Sequence, residues 1–97
     1  MTNKEIQKVL ENLGYDDVVL FDNFDYADAF IGVTVDNRAV YDFEKMIESL
    51  QNQMTMTYED AVEFIEFNTI RSLPYLGDKA PIILNRLEEV IKWDLMN

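Results

Sequence analysis

The stretch Thr57–Leu84, TYEDAVEFIEFNTIRSLPYLGDKAPIIL, decides how the remainder of the chain can be arranged. Its first part predicts an amphipathic helix, capped at its first residue, with an inward stripe made of Tyr58, Ala61, Val62 and Ile65. Pro74 and Pro81 each favour an extended conformation in the residue before them, so the chain must turn back around these positions. The apolar run Ile82–Leu84 fits either a short strand or the beginning of a last helix.

The residues before this stretch predict a three-stranded antiparallel meander between Asp16 and Asp42. The first two strands are expected at Val18–Phe21 and Ala29–Val35, which are apolar or alternate in the strand period. Asp36-Asn37 predicts a two-residue hairpin turn into the third strand, because both residue types tolerate positive φ angles. Such a turn pairs Val35 with Arg38 and Val33 with Val40.

Helices are expected before and after these strands. Residues 2–13 have apolar side chains at helical spacing, a Thr2–Glu5 capping box and Gly14 as the terminating residue. Asp42 is expected to cap a second helix, and a last helix is marked by Leu87, Val90, Ile91 and Leu95. The predicted fold is therefore α+β, with a small three-stranded antiparallel sheet packed by about four helices. The expected order is α-β-β-β-α-α-(turn)-α, in a single domain over residues 1–97.

Charge is the most informative part of the composition. The 97 residues include 19 Asp and Glu against 8 Lys and Arg, which gives a formal net charge of −11 and a pI near 4.1. A chain with this charge repels nucleic acid and anionic membranes and attracts basic protein surfaces. No apolar run approaches the ~20 residues that span a bilayer. We therefore expect a protein that binds neither nucleic acid nor membrane directly.

The groups that usually carry catalysis are missing from the sequence. There is no His and no Cys, so the commonest general base and the thiol nucleophile are excluded. Ser49 and Ser72 lie in no nucleophile motif, and the three glycines are too far apart to form a phosphate-binding loop. We expect a non-enzymatic protein without a cofactor or a metal.

The segment Asp22–Asp28, DNFDYAD, is the one candidate for a calcium loop. Counted from Asp22, the third position is Phe24 and the sixth is Ala27. A calcium loop needs an oxygen ligand at the third position and glycine at the sixth. The pattern therefore favours a solvated turn in which Asp and Asn side chains bond to the neighbouring backbone.

Acidic helix faces are the first candidate for a functional surface. Glu59, Glu63 and Glu66 fall at i, i+4 and i+7 with Asp60 beside them, and the preceding helix carries a similar pair, Glu44 and Glu48. Like charges at this spacing oppose helix formation by a few tenths of a kcal/mol per pair. Two interpretations are open: a solvated helix face, or a surface that binds a cationic groove built for nucleic acid.

Arg71 and Tyr75 form a second, weaker candidate in the turn that follows. A guanidinium at the end of a helix can tie it to the following turn by bonding to a carboxylate or to free carbonyls. Alternatively, the two residues form a recognition turn with Tyr75 as its aromatic anchor.

Three stretches of the sequence resemble those of a known group of proteins. They are VYDFEKM at residues 40–46, NTIRSLPY at 68–75 and APII at 80–83. Over residues 38–84 the chain resembles small acidic proteins of unknown function from phages and mobile elements of Firmicutes. The resemblance implies a cytoplasmic protein of a bacterial host and assigns no catalytic or ligand-binding residue. Small acidic phage proteins include DNA-mimicking inhibitors of defence nucleases, of the anti-CRISPR and anti-restriction types.

Two functions from different classes are therefore expected. In the first, the chain is a non-catalytic inhibitor whose acidic residues bind a basic host protein, such as a nucleic-acid-binding protein. In the second, it is an accessory or oligomerising domain that binds through an apolar patch and its last helix. Ionic strength separates them, because binding between opposite charges weakens with salt and apolar association does not.

Overall fold

Capping interactions set both ends of the first helix in the computed structural model, which describes residues 1–22 and 24–97. Helix α1, Asn3–Asn12, begins with a capping box in which the backbone N–H of Glu5 donates to Thr2 Oγ1 and that of Thr2 donates to Glu5 Oε1. Gly14, with φ of 89°, ends the helix. The N–H groups of Gly14 and Tyr15 donate to the carbonyls of Glu11 and Leu10, a Schellman motif. The predicted helix is confirmed to within one residue at each end.

Side-chain caps also start the next two helices. In α2, Phe43–Met54, Asp42 Oδ1 accepts a hydrogen bond from the N–H of Lys45. In α3, Tyr58–Asn68, Thr57 Oγ1 accepts one from the N–H of Asp60 at 3.1 Å. Both predicted caps are confirmed. Helix α4, Glu88–Met96, is the last element of the chain. No helix in residues 1–22 and 24–97 is both long enough and apolar enough to cross a membrane.

Three strands form the sheet: β1, Phe30–Val33; β2, Ala39–Asp42; and β3, Ile82–Leu84. Their order is β1-β2-β3, with β1 antiparallel and β3 parallel to the central strand. The α+β class with a three-stranded sheet is confirmed, and Ile82–Leu84 is a strand. The prediction of a purely antiparallel sheet is wrong. A parallel neighbour needs a long crossover, and here α2, α3 and the 3₁₀ segment Ile70–Lys79 supply it.

The predicted strand at Val18–Phe21 is wrong, since these residues are described and form none. Side chains take the place of a neighbouring strand here. The N–H of Phe21 donates to the Tyr41 hydroxyl at 3.2 Å, and the Phe21 carbonyl accepts from Asn3 Nδ2 at 2.8 Å. Phe21 itself is buried in the core. The backbone of Phe21 is therefore satisfied without a β ladder.

The hairpin register between β1 and β2 differs from the prediction by one residue. Val33 pairs with Ala39 and Gly32 with Val40. The N–H of Asn37 donates to the Thr34 carbonyl, and Asn37 has φ of 65°. This is a three-residue loop built on a turn followed by a left-handed residue. Thr34 favours it, because its hydroxyl accepts the N–H of Arg38 at 2.9 Å.

One face of the sheet and the helices enclose the core. Tyr41 of the central strand packs among side chains from α2 and α3 that are fully buried, namely Met46, Ile47, Leu50, Ala61 and Ile65. A smaller cluster joins Ile6 and Leu10 of α1 to Ala27. Helix α4 contributes to neither cluster.

Candidate protein-binding surface on the third helix

Burial of one side of α3 turns its acidic residues outward. Ala61, Ile65 and the following Thr69 are buried at intervals of four residues. The opposite side of the same helix therefore points to solvent. We call the four carboxylates on that side the acidic face, namely Glu59, Asp60, Glu63 and Glu66. All four are exposed, as predicted.

Apolar side chains lie among these carboxylates. Phe67 falls four residues after Glu63 and is 50% exposed. An open depression of about 480 Å³ is lined by Tyr58, Val62 and Phe67 together with Glu59, Glu63 and Glu66. A second, of about 330 Å³, adjoins it where Phe67, Phe64 and Met56 meet Asp60 and Glu63. The acidic face is thus an array of carboxylates around an exposed aromatic ring.

The structure brings Glu44 of α2 up to the beginning of α3. The Tyr58 hydroxyl donates to Glu44 Oε1 at 2.7 Å. That hydrogen bond, with the negative charge of Glu44 and Glu59 nearby, raises the pKa of Tyr58 above its usual value. Glu44 therefore extends the acidic face across both helices. Tyr58, predicted to point inward, is 45% exposed and serves as the link.

Glu48 has a different setting from Glu44. It is exposed on α2, and neither depression on α3 includes it. Five of the six carboxylates predicted to bind a partner are thus joined by contacts or by a shared helix face, namely Glu44, Glu59, Asp60, Glu63 and Glu66. Glu48 is only a neighbour on α2.

Within residues 1–22 and 24–97, no carboxylate of the acidic face takes part in an ion pair. The ion pairs found in residues 1–22 and 24–97 join the N-terminus to Asp28, Lys79 to Asp17 and Arg86 to Glu88, and none involves α3. Glu59 and Asp60 in the first turn interact favourably with the helix dipole. Glu66, in the last turn, opposes it. The placement of Glu66 therefore costs some helix stability rather than adding to it.

Arg71 and Tyr75 lie in different surroundings. The Arg71 guanidinium lies 4.2 Å from the centre of the Phe67 ring, a cation–π contact. It therefore links α3 to the following segment through an aromatic ring rather than through the predicted carboxylate or carbonyls. Tyr75 is 89% exposed and lines a depression of about 190 Å³. Arg71 is not part of that depression, so the two side chains do not converge on one site.

The predicted turn at Asp22–Asp28 is partly described, because Asn23 lies outside the described residues. Asp25 Oδ1 accepts the N–H of Ala27 at 3.0 Å, which is the expected side-chain-to-backbone turn. Within residues 1–22 and 24–97, no three acidic side chains are grouped so as to hold a metal ion.

Phe67 is the component of the surface that the sequence prediction did not name. The signal for it was present, because residue 67 follows Asp60 by seven and Glu63 by four, the spacing of one helix face. Phe67 does not continue the spacing of the inward stripe, so the helical pattern indicated no particular environment for its ring. Aromatic residues on such a surface are typical anchors for protein partners.

Comparisons with known proteins give no relative from which a function could be carried over. No family model, no curated protein and no solved structure matches the chain. The geometry of the surface and the charge of the chain therefore carry the functional argument.

Proposed function

We propose that this chain is a non-catalytic binding protein whose acidic face meets a basic surface of a partner protein. The observation that supports it is the set of carboxylates on α3 without an ion pair, extended by Glu44, around the half-exposed Phe67 ring that Arg71 also contacts. Opposite charge steers such partners together, and a central aromatic side chain supplies contact area after water is displaced.

The partner class that we propose is a nucleic-acid-binding protein. Carboxylates one helical turn apart lie ~6 Å from each other, close to the spacing of phosphates along one DNA strand. A cationic groove that binds phosphates can accept such an array. The proposed role is a DNA-mimicking inhibitor, and the phage or mobile-element origin suggested by the sequence resemblance fits this role.

Neutralising the far end of the acidic face tests the proposal. Glu63→Gln with Glu66→Gln removes two charges and leaves the buried side of α3 unchanged. Capture of host proteins on the immobilised chain, with salt elution and mass spectrometry, would compare the variant with the wild type. We expect basic nucleic-acid-binding proteins on the wild type, eluted as ionic strength rises, and binding about tenfold weaker to the variant.

The matched control removes the same charge elsewhere. Glu11→Gln with Asp16→Asn neutralises two exposed carboxylates in and after α1, so net charge alone cannot explain a difference. We expect the control to keep the partner. Equal loss in both double variants, or capture that resists salt, would contradict the proposal. If the captured protein is a nuclease, its activity should fall stoichiometrically as the chain is added.

A further inference from the structure

Helix α4 is apolar on most of its sides, and nothing in residues 1–22 and 24–97 buries it. No residue of α4 is buried, and it makes at most marginal contact with other elements. Its large side chains are half-exposed or more, namely Leu87 at its N-cap, Val90, Ile91, Trp93, Leu95 and Met96. A helix that is apolar on most sides is normally buried. Consistent with a helix that stands off the body, the radius of gyration is 14.4 Å, above the ~12.5 Å expected for this length.

The outer face of the sheet is a second apolar surface beside this helix. Tyr41 and Ile83 point into the core, so Val40, Ile82 and Leu84 project from the other side. These three are only half-buried, and Ile31 on β1 is exposed. The two surfaces are continuous, because Ile31, Leu84 and Leu87 line one depression of about 430 Å³. We call the combination of α4 with this outer sheet face the C-terminal apolar surface.

The last part of the chain, which includes β3 and α4, differs in charge from the remainder. Residues 79–97 hold three basic side chains, Lys79, Arg86 and Lys92, and three acidic ones, Glu88, Glu89 and Asp94. Their net charge is zero, so residues 1–78, with five basic and sixteen acidic side chains, carry the whole excess of −11. Two copies of an acidic chain repel each other over most of their surface. Residues 79–97, which include β3 and α4, add no net charge to that repulsion.

We propose that a second copy of this chain docks on the C-terminal apolar surface, with α4 of each copy packed over the outer sheet face of the other. A twofold arrangement covers both exposed surfaces of both copies at once. The six large side chains of α4 expose on the order of several hundred Å², the size that each partner of a standard interface contributes. Residues 79–97 carry no excess of acidic side chains to attract the basic partner proposed for α3, so the two proposals are independent.

Sedimentation equilibrium of the full chain, from about 1 to 200 μM, measures the association directly. We expect a concentration-dependent mass that rises from 11.4 kDa toward twice that value. Trp93, the single tryptophan, is 66% exposed in one copy. Its emission should therefore shift to longer wavelength when the dimer is diluted. Raising NaCl should leave association unchanged or strengthen it, the opposite of the salt effect expected at the acidic face.

Variants on each half of the surface test the arrangement. Ile91→Gln with Leu95→Gln changes residues that are exposed in the single copy. At the lowest concentration of the series, where the wild type is a single copy, the variant should therefore match it in helix content and melting temperature. We expect association at least tenfold weaker. Ile31→Gln, on the sheet half, should also weaken association. Val35→Gln is the control, because Val35 is fully exposed in the hairpin loop and outside the surface.

Three results would overturn the proposal. The first is a wild-type mass that stays at one copy over the whole concentration range. The second is a dimer that survives the α4 double variant or is weakened equally by Val35→Gln. The third is a dimer that is lost in the α4 double variant and unchanged by Ile31→Gln, because helices would then pair with each other instead of with the sheet.

Discussion

At the scale of single residues, Tyr41 joins two separate parts of the core. Its ring is fully buried on the central strand and packs against Phe21 and Phe30, with ring centres 4.8 and 5.8 Å away. Its hydroxyl accepts the backbone N–H of Phe21, a segment that no strand supports. The Tyr41 side chain therefore holds the segment around Phe21 against the inner face of the sheet. Burial raises the pKa of Tyr41 to about 12.

This pKa predicts loss of stability in alkaline solution. The folded-state pKa lies above the unfolded value of 10.0, so the folded chain holds the proton more tightly. The corresponding stability is fully present below pH 10 and is lost as pH rises from 10 to 12. We expect the free energy of unfolding to fall by on the order of 2 kcal/mol over that interval. Urea titrations at several pH values would measure it.

Tyr41→Phe separates the hydrogen bond from the ionisation. At pH 7 the variant leaves the Phe21 N–H without its acceptor, which should cost about 1–3 kcal/mol. Because Phe does not ionise, the further loss between pH 10 and 12 should be smaller than in the wild type. Tyr75→Phe, at an exposed hydroxyl, should leave stability at pH 7 unchanged. An equally steep alkaline loss in Tyr41→Phe would show that another group controls it.

At the scale of elements, β2 continues into α2 without a loop, and Asp42 belongs to both transitions. It is the last residue of the strand and the N-cap of the helix, and its side chain is buried. Asp42→Ala removes the acceptor for the Lys45 N–H and should destabilise the protein by about 1 kcal/mol. Asp42→Asn keeps an acceptor and should lose distinctly less. Thermal unfolding followed by circular dichroism would rank the three proteins, and equal losses would contradict the capping role.

Local chemistry made the helix ends and caps predictable from sequence. Thr2, Gly14, Asp42 and Thr57 act on backbone groups within three or four residues, so their roles can be inferred from a short window. The predicted hairpin register is wrong by one residue, because the Thr34 hydroxyl accepts the Arg38 N–H that a two-residue turn would pair with Val35. Thr34 lies within the same short window of sequence, but turn propensities alone do not show which acceptor the Arg38 N–H takes.

The pairing of β2 with β3 could not be predicted from the sequence. Ile82 pairs with Val40, forty-two residues earlier, in a parallel ladder, and no local pattern specifies that partner. For the candidate site, the helical period identified the carboxylates of α3. It did not identify the contact between Tyr58 and Glu44, which depends on how α2 and α3 pack. Nor did it show that α4, whose apolar residues predict a helix, lies uncovered.

At the scale of the whole molecule, repulsion between carboxylates outweighs attraction. The chain has a net charge of −11, and the ion pairs found in the described residues are all at least partly exposed. Such pairs contribute little, so screening them loses little. We expect the melting temperature to rise by a few degrees when NaCl increases from about 20 to 500 mM.

The same salt series with Ile91→Gln and Leu95→Gln would separate repulsion within one chain from any effect of association. If the rise reflects repulsion within the chain, the double variant should show it too. A melting temperature that falls with NaCl would mean that attractive pairs dominate the folded state.

The position of β3 also governs the order in which the fold can be completed. β1 and β2 lie together within residues 30–42, but the far edge of β2 has no partner until Ile82–Leu84 are available. During synthesis the central strand is therefore a temporary edge, with unpaired N–H and C=O groups that another chain could bind. Contacts this far apart in sequence also form slowly. A nascent or truncated chain that stops before Ile82 should thus be prone to aggregation, because β3 is the strand that covers the far edge of β2.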